Sequence, residues 1–299
     1  MASNTYDAVG NMDDLSDVIT NIKPSTSTTY SMFGKTKAAS TYHEWLEDED
    51  PNVGNANKKV EGFTYSTGEG VARVRLGNYT QIMSEGVEVT ETQQTVDKKG
   101  VKDEMSHQLA KKLKQIAKDC NKAILTQDSR IAGDKTTARQ MGGIPYWITT
   151  NVLTDGGAGD RDLTTKLLGD AQEAAYAYSN GEADTVLLSP AQKRRVNAWT
   201  NGATKYMDEG ATKLASKISV YESEFGIVKF VVERDLADSV VYLIDPSLWK
   251  SAYLRPFAKH PLPKVADKLQ EVVVGEWTLE AKAEYANAAI KDLKLAALS

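Results

Sequence analysis

The residues that most often carry out catalysis are few and scattered in this sequence. The three histidines, His43, His107 and His260, lie far apart, and no HExxH or paired Cys/His spacing predicts a zinc site. Cys120 falls among apolar residues at helical spacing, where a small buried hydrophobic side chain is commoner than a nucleophile. We therefore predict no catalytic residue, no metal site and no cofactor.

Three further segments come close to ligand-binding motifs and fail. Gly34-Lys35-Thr36 matches the end of a phosphate-binding loop, but Thr29 stands where the first glycine is required. Gly68-Glu69-Gly70 lacks the third glycine of a dinucleotide fingerprint. The acidic run from Glu47 to Asp50 lacks the spaced ligands of a calcium loop, so we interpret it as a solvated loop tip.

The composition indicates a folded protein that is not built to grip nucleic acid. The 299 residues are 41% hydrophobic and 26% charged, with a net charge of −5. Tight binding to phosphates needs clustered Lys and Arg, so a chain of this charge that lay close to DNA would enclose it rather than hold it tightly. The single cysteine excludes an intrachain disulfide and fits a reducing cytoplasm. We expect neither a secretory signal nor a membrane span.

The first forty residues differ from the rest of the chain, since fifteen of them are Ser, Thr or Asn. One amphipathic patch interrupts them, with Leu15, Val18, Ile19 and Ile22 on one helical face before Pro24. A helix of about two turns is unstable alone in water. We therefore predict an N-terminal arm, 1–40, that docks on its own chain or on a neighbour, and no long helical segment before it.

Residues 41–97 read as β-structure interrupted by polar loops. A short strand is predicted at 41–45, and a two-residue alternation indicates strands at 71–76 and near Val87 and Val89. The intervening stretch is polar and rich in turn residues. The pattern predicts an extended two-stranded loop with a polar tip, which needs contact with another subunit because an isolated hairpin is marginally stable.

A long amphipathic helix follows at 101–127, with apolar residues every three or four positions and lysines on the other faces. Such a helix would be roughly 40 Å long. After a loop-rich stretch, residues 162–245 alternate between helix and strand, and Ser189-Pro190 gives a helix start. Residues 246–299 add a strand at 269–279. The predicted fold class is α+β.

This order of parts resembles the Hong Kong-type capsid fold of tailed phages and herpesviruses. Seven segments also resemble, in the same order, those of phage major capsid proteins, and they cover nearly the whole chain. They are Ile19-Thr20-Asn21-Ile22-Lys23-Pro24, Thr41-Tyr42-His43-Glu44-Trp45, Arg73-Val74-Arg75-Leu76-Gly77-Asn78-Tyr79-Thr80-Gln81, Gln108-Leu109-Ala110-Lys111-Lys112, Leu188-Ser189-Pro190-Ala191-Gln192-Lys193-Arg194, Val220-Tyr221-Glu222-Ser223-Glu224-Phe225-Gly226 and Tyr253-Leu254-Arg255-Pro256-Phe257.

The resemblance implies a structural protein of the virion that assembles into an icosahedral shell. It implies rings of six and five subunits around double-stranded DNA, with portal, scaffolding and decoration proteins as further partners, after synthesis in the host bacterial cytoplasm. The implied domains are an arm at 1–40, an extended loop at 41–97, a peripheral domain at 98–161 and 246–299 with its spine helix at 101–127, and an axial domain at 162–245.

The resemblance also implies which residues contact a neighbouring subunit. The expected interface residues are Leu15, Val18, Ile19, Trp45, Arg73, Arg75 and Tyr79. In some relatives a Lys–Asn isopeptide bond fuses subunits, and Lys58 and Lys59 would permit one. Two other functions stay open: a cellular nanocompartment shell of the same fold, and a soluble enzyme with an unrecognised site.

Overall fold

The computed structural model describes residues 27–48, 58–64, 72–96, 100–101, 103–157, 159, 161–177, 183–199 and 220–294. In this part of the chain the residues form two compact units. The smaller unit takes in Met83–Lys118 and Phe257–Val274. The larger unit takes in Ser27–Ile82, Asp119–Pro256 and Gly275–Ser299. The predicted arm residues Leu15, Val18 and Ile19 lie outside the described residues.

Helices and strands both contribute to the described residues, which confirms the α+β class. The helices are α1 (Thr28–Met32), α2 (Glu91–Thr95), α3 (Glu104–Thr126), α4 (Ile144–Trp147), α5 (Thr165–Tyr176) and α6 (Pro190–Asn197). The strands are β1 (Gly34–Lys37), β2 (Tyr42–Glu47), β3 (Val74–Tyr79), β4 (Gln81–Thr90), β5 (Val152–Leu153), β6 (Thr185–Leu188), β7 (Val220–Ser223), β8 (Gly226–Val232), β9 (Val241–Ile244), β10 (Trp249–Pro261), β11 (Lys268–Ala281) and β12 (Ala288–Ile290).

A six-stranded mixed sheet organises much of the larger unit, in the order β5-β12-β9-β6-β8-β7. Strand β6 runs parallel to β8 and antiparallel to β9, and every residue of β6 and β9 is buried. Fully buried strands read as continuous apolar runs rather than alternating ones, which is why both were predictable. The core beside them includes Leu163, Leu168, Ala171, Val186, Val196, Val241 and Ile290.

Local sequence signals set the limits of the elements around this sheet. Ser189 Oγ accepts a hydrogen bond from the backbone N of Gln192, and Pro190 occupies the first turn of α6, as predicted. Strands β7 and β8 form a hairpin in which Ser223 pairs with Gly226. Gly226 has φ 126°, a backbone conformation that side chains other than glycine's rarely adopt.

Helix α3 (Glu104–Thr126) confirms the long amphipathic helix predicted at 101–127, with one correction to its apolar face. Ile116, Cys120 and Ile124 are buried as expected from their spacing. Leu113, which belongs to the same predicted apolar face, is 46% exposed. Hydrophobic spacing identifies the face of a helix but not how far along the helix its partner elements extend. The burial of α3 is therefore concentrated in its C-terminal half.

The end of the predicted arm has defined structure between residues 27 and 40. Helix α1 is followed by strand β1, which pairs in parallel with Lys250–Tyr253 of β10. Thr29, Phe33 and Ala38 are buried. This structure results from pairing with residues far away in the chain, and the Ser/Thr-rich sequence gave no local signal for it. The assignment of 1–40 to one arm stays a prediction.

The predicted extended loop, 41–97, contains strands of two different sheets. Strands β2 and β3 form a two-stranded antiparallel sheet, which we call the β2–β3 ribbon. Strand β4 instead lies at the edge of a four-stranded sheet in the order β1-β10-β11-β4. Its alternation buries Val87 and Val89. The limits of the arm, the extended loop, the peripheral domain and the axial domain stay predictions.

Candidate assembly surface

The β2–β3 ribbon has an inner and an outer face. Side chains alternate along a strand, and residues directly opposite each other share a face. The register pairs Tyr42 with Tyr79 at one end and Glu47 with Val74 at the other. The inner face carries His43, Trp45, Glu47, Val74, Leu76 and Asn78, and the outer face carries Tyr42, Glu44, Leu46, Arg75, Gly77 and Tyr79.

An aromatic contact fixes the inner face to the body of the same chain. The Trp45 and Trp147 rings lie 5.2 Å apart, and Trp147 makes an edge contact with Tyr146 at the same distance. Trp45 is only 8% exposed. Aromatic pairs of this kind contribute about 0.5–1.5 kcal/mol beyond the area they bury. Trp45 therefore packs mainly against its own chain and leaves little surface for a neighbour.

Polar groups of the inner face reach the body as well. His43 Nε2 lies 3.1 Å from Glu280 Oε2, and Glu47 Oε1 accepts a hydrogen bond of 2.8 Å from the backbone N of Ala283. Asn78 Nδ2 donates to the carbonyl oxygens of Gly142 and Leu279 at 3.0 and 2.8 Å. These bonds satisfy buried polar groups that would otherwise be costly, so they hold the ribbon in one position.

The contact with His43 also changes the chemistry of Glu280. The hydrogen bond from His43 lowers the pKa of the Glu280 carboxyl, and Lys282 lowers it further, while burial acts in the opposite direction. Lys282 Nζ lies 3.1 Å from Glu280 Oε1. The carboxylate form is thus favoured in the folded subunit.

Arg130 covers the outer face at one end of the ribbon. Its guanidinium lies 5.6 Å from the Tyr42 ring centroid, 5.8 Å from that of Tyr79 and 5.4 Å from that of Tyr146. It also donates hydrogen bonds to the Tyr42 hydroxyl, at 3.2 Å, and to the Gly77 carbonyl oxygen. Cation–π contacts of this kind contribute about 0.5–2 kcal/mol. Tyr79 is therefore held within the subunit.

Glycine at position 77 makes this arrangement possible. A Cβ atom there would lie 2.7 Å from the Tyr42 ring, a distance that side chains do not tolerate. The Tyr42 and Tyr79 ring centroids are themselves only 4.7 Å apart. The close approach of Tyr42 to the β3 backbone thus depends on the absence of a side chain.

The rest of the outer face is open to solvent. Leu46 is 61% exposed and lies directly across from Arg75. Arg75 forms a long ion pair of 3.7 Å with Glu44, and both side chains are exposed. Beyond the ribbon, Arg73 Nε donates to Asp48 at 2.8 Å, and this bond raises the pKa of Arg73. Exposed ion pairs contribute little to stability, so these charges remain available to a partner.

The predicted interface residues thus fall into three groups. Leu15, Val18 and Ile19 lie outside the described residues. Trp45 and Tyr79 pack against their own chain, and Arg73 and Arg75 lie exposed on and next to the ribbon. The interface role of all seven stays a prediction. Sequence reasoning missed Leu46, although its alternation with buried Trp45 was a usable signal.

The root of the arm is fastened by a buried carboxylate. Glu233 Oε1 accepts from the backbone N and the hydroxyl of Thr29, at 2.7 and 2.6 Å, and Oε2 accepts from Asn121 Nδ2 at 3.1 Å. Next to Thr29, the hydroxyls of Tyr30 and Tyr253 lie 2.6 Å apart. Burial, with help from this bond, raises the pKa of Tyr30. These contacts therefore fix Thr29 and Tyr30, which belong to the predicted arm, to the larger unit.

A second buried carboxylate joins three separate segments. Glu276 is 5% exposed at its side chain and pairs with Arg139 and with Arg255, the latter at 3.1 Å. Thr80 Oγ1 donates to the same carboxylate at 2.7 Å. A buried charge needs both an opposite charge and hydrogen bonds, and Glu276 has both. The network is a structural one that fixes the chain just after the ribbon.

Two kinds of chemistry are disfavoured among the described residues, a cysteine nucleophile and a clustered metal site. Burial raises the pKa of the Cys120 thiol to about 12, so the thiolate that a nucleophile requires is disfavoured. Among the same residues, no group of three or more His, Cys, Asp or Glu side chains could hold a metal ion. No helix in the described ranges is long and apolar enough to cross a bilayer.

Comparison with known proteins identifies the family. A family model described as the SU10 major capsid protein matches residues 2–294. This chain belongs to that family. It is also 23% identical, over 92% of its length and 91% of the relative's, to the major capsid protein of Escherichia phage Phieco32. The chain is therefore a phage major capsid protein.

Solved structures establish the fold. The capsid of a native GTA particle superimposes with a TM-score of 0.66 at 12% identity, over 97% of each chain. The SrpI encapsulin of Synechococcus elongatus PCC 7942 gives 0.61 at 8% identity, over 95% of this chain and 93% of that one. The Hong Kong-type capsid fold predicted from the sequence is confirmed. The nanocompartment alternative fits less well, because the family match is to phage capsid proteins.

Proposed function

We propose that this major capsid protein forms rings of six and of five that close into an icosahedral shell around double-stranded DNA. Rings of identical subunits require a head-to-tail contact, in which one surface meets a different surface of the next copy. One sequence must then fit two kinds of ring. The packed sheets of the larger unit, to which Thr29 is bonded through Glu233, support a rigid part that could serve in both.

The observation that carries the proposal is the asymmetry of the β2–β3 ribbon. Its inner face is bound to its own chain through Trp45, His43 and Glu47. Its outer face exposes Leu46 beside the weakly paired charges of Glu44 and Arg75. An apolar side chain rimmed by charges is typical of the centre of a protein–protein contact. We therefore assign the outer face, rather than Trp45, to the neighbouring subunit.

Substitution of Leu46 tests this assignment. Leu46→Asp places a charge in the proposed contact and should weaken each contact by about tenfold or more, which is about 1.4 kcal/mol. Because Leu46 is exposed, the unassembled subunit should unfold at the same temperature as the wild type. Leu46→Met, which keeps the apolar contact, is the matched control. Shell yield is measured by sedimentation and electron microscopy.

Two results would decide the matter. A folded Leu46→Asp subunit that no longer forms shells, with normal shells from Leu46→Met, supports the outer face as an assembly surface. Normal shells from Leu46→Asp would exclude it.

The remaining parts of the proposal concern partners and place. The net charge of −5 supports enclosure of DNA rather than tight, sequence-specific binding. Family membership supports a structural role. Portal, scaffolding and decoration proteins stay the expected partners of such a shell. The single, buried cysteine supports synthesis in the reducing cytoplasm of a host bacterium.

A further inference from the structure

Positive charge is concentrated on one stretch of helix α3. Between Glu104 and Asp119 lie fourteen residues that include four lysines and no acidic residue. This occurs in a chain whose net charge is −5. The stretch belongs entirely to the smaller unit. Acidic residues three or four positions away would compensate such lysines on the same helix, and this stretch has none of its own.

The lysines of the smaller unit differ in whether they have ion-pair partners. Lys112, Lys259, Lys264 and Lys268 pair with Glu85, Glu271, Glu91 and Glu88, respectively. Three further lysines of this unit lie among the described residues, and no such pair involves them. Those three are Lys111, Lys114 and Lys118. Four carboxylates of this unit are thus already paired with other lysines, whereas Lys111, Lys114 and Lys118 have no ion pair among the described residues.

The three unpaired lysines lie on one side of the helix. Positions 111, 114 and 118 are three and four residues apart, which places them within one face opposite buried Ile116. Lys111 and Lys114 are exposed, and Lys118 is half-buried. From Lys111 to Lys118 the helix advances about 10.5 Å. The same length of duplex axis carries about six phosphate charges. The phosphates are therefore spaced closely enough for each of the three lysines to contact a different one.

We propose that Lys111, Lys114 and Lys118 form a contact surface for the phosphate backbone of the enclosed double-stranded DNA. This inference rests on the proposed function, since it names the surface that meets the genome. The contact is electrostatic and independent of sequence, because lysine ammonium groups act on phosphates as point charges. Three such charges give weak binding for one subunit. In a shell, many copies act together.

The test is a salt titration of DNA binding by assembled shell fragments. Binding of a fluorescent duplex of random sequence is followed by anisotropy for the wild type and for the triple variant Lys111→Gln, Lys114→Gln, Lys118→Gln. Each lost phosphate contact should reduce the slope of log affinity against log salt by about 0.9, so the triple variant should lose about 2.7. The control removes the same charge at ion-paired positions, through Lys259→Gln, Lys264→Gln and Lys268→Gln.

The outcomes separate this inference from the proposed function. A reduced slope in the first variant and a much smaller change in the control support the phosphate surface. Equal slopes in the wild type and the first variant overturn it. Wild-type shell fragments that bind polyglutamate but not DNA would also overturn it, because the lysines would then not recognise phosphates. If the slopes are equal but the first variant still forms normal shells, only the phosphate surface is overturned and shell assembly stands. A wild type that forms no shells would instead count against shell assembly.

A second measurement uses intact particles. Lysine acylation is quantified by mass spectrometry in DNA-filled and in empty heads. Lys111, Lys114 and Lys118 should be protected several-fold only in filled heads, while Lys259, Lys264 and Lys268 should react equally in both. Equal reactivity of the first group in the two kinds of head would contradict the proposal.

Discussion

Thr29 and Glu233 lie 204 residues apart in the chain and are joined by two hydrogen bonds to one carboxylate oxygen, of 2.7 and 2.6 Å. Thr29 stands at the beginning of the described chain and Glu233 directly after β8. Both side chains are buried. The contact therefore joins helix α1, which begins next to Ser27, to the end of strand β8 in the six-stranded sheet.

Loss of this carboxylate should destabilise the subunit. Glu233→Ala leaves the Thr29 and Asn121 donors buried without an acceptor, which costs about 1–3 kcal/mol in the free energy of unfolding. Urea denaturation of the unassembled subunit measures the change. Thr29→Ser keeps both bonds and is the control. An unchanged urea midpoint for Glu233→Ala would show that the contact does not stabilise the subunit.

Trp45 should contribute mainly to the stability of its own subunit. Trp45→Ala removes a buried ring from its contact with Trp147, and such truncations typically cost about 3–5 kcal/mol. Thermal unfolding of the unassembled subunit should therefore shift strongly, while Trp45→Phe shifts less. If Trp45→Ala left the unfolding temperature unchanged and only blocked assembly, Trp45 would instead be an interface anchor.

A methyl group at position 77 should disturb the ribbon. Gly77→Ala places Cβ 2.7 Å from the Tyr42 ring, so Tyr42 must move away from Tyr79 and Arg130. Overpacking of this kind costs about 1–3 kcal/mol. Gly86→Ala is the matched control, because a Cβ there meets nothing within 4 Å. Equal unfolding free energies for the two variants would contradict the predicted crowding.

Stability should fall in acid partly through Glu280. Its pKa is lowered in the folded state from an ordinary value of 4.5, mainly by His43. A lowered folded pKa gives stabilisation that is fully present above the unfolded value and is lost as the pH falls through the folded value. The loss should therefore begin near pH 4.5 and continue below it.

The variant Glu280→Gln isolates this contribution. Its unfolding free energy should depend less on pH than that of the wild type below about pH 5, because the titrating carboxyl is absent. Guanidinium denaturation at several pH values gives both curves. Parallel curves for the two proteins would show that Glu280 does not contribute to the acid sensitivity.

The parts of the fold that could be predicted are those encoded by neighbouring residues. The apolar spacing of α3, the buried run of β6 and the Ser189-Pro190 helix start are local signals, and the structure confirms each. Strand β10 was missed because its second half is exposed and carries charged residues and prolines. An edge or half-covered strand leaves no continuous apolar run to recognise.

The candidate surface was harder to predict, because its residues depend on long-range contacts. The aromatic character of Trp45 suggested an intersubunit anchor, since aromatic residues often dominate such contacts. Its actual partner, Trp147, is about a hundred residues away in the chain, and no local pattern connects the two. Once Trp45 is seen to face inward, its neighbour Leu46 must face outward.

The central claim is that this chain builds a shell, and direct imaging tests it best. The purified protein should be examined by size-exclusion chromatography and negative-stain electron microscopy, first alone and then after co-expression with the neighbouring phage genes. We predict closed shells, or rings of five or six subunits, in at least the second preparation. Subunits that stay monomeric in both preparations at high concentration would contradict the account.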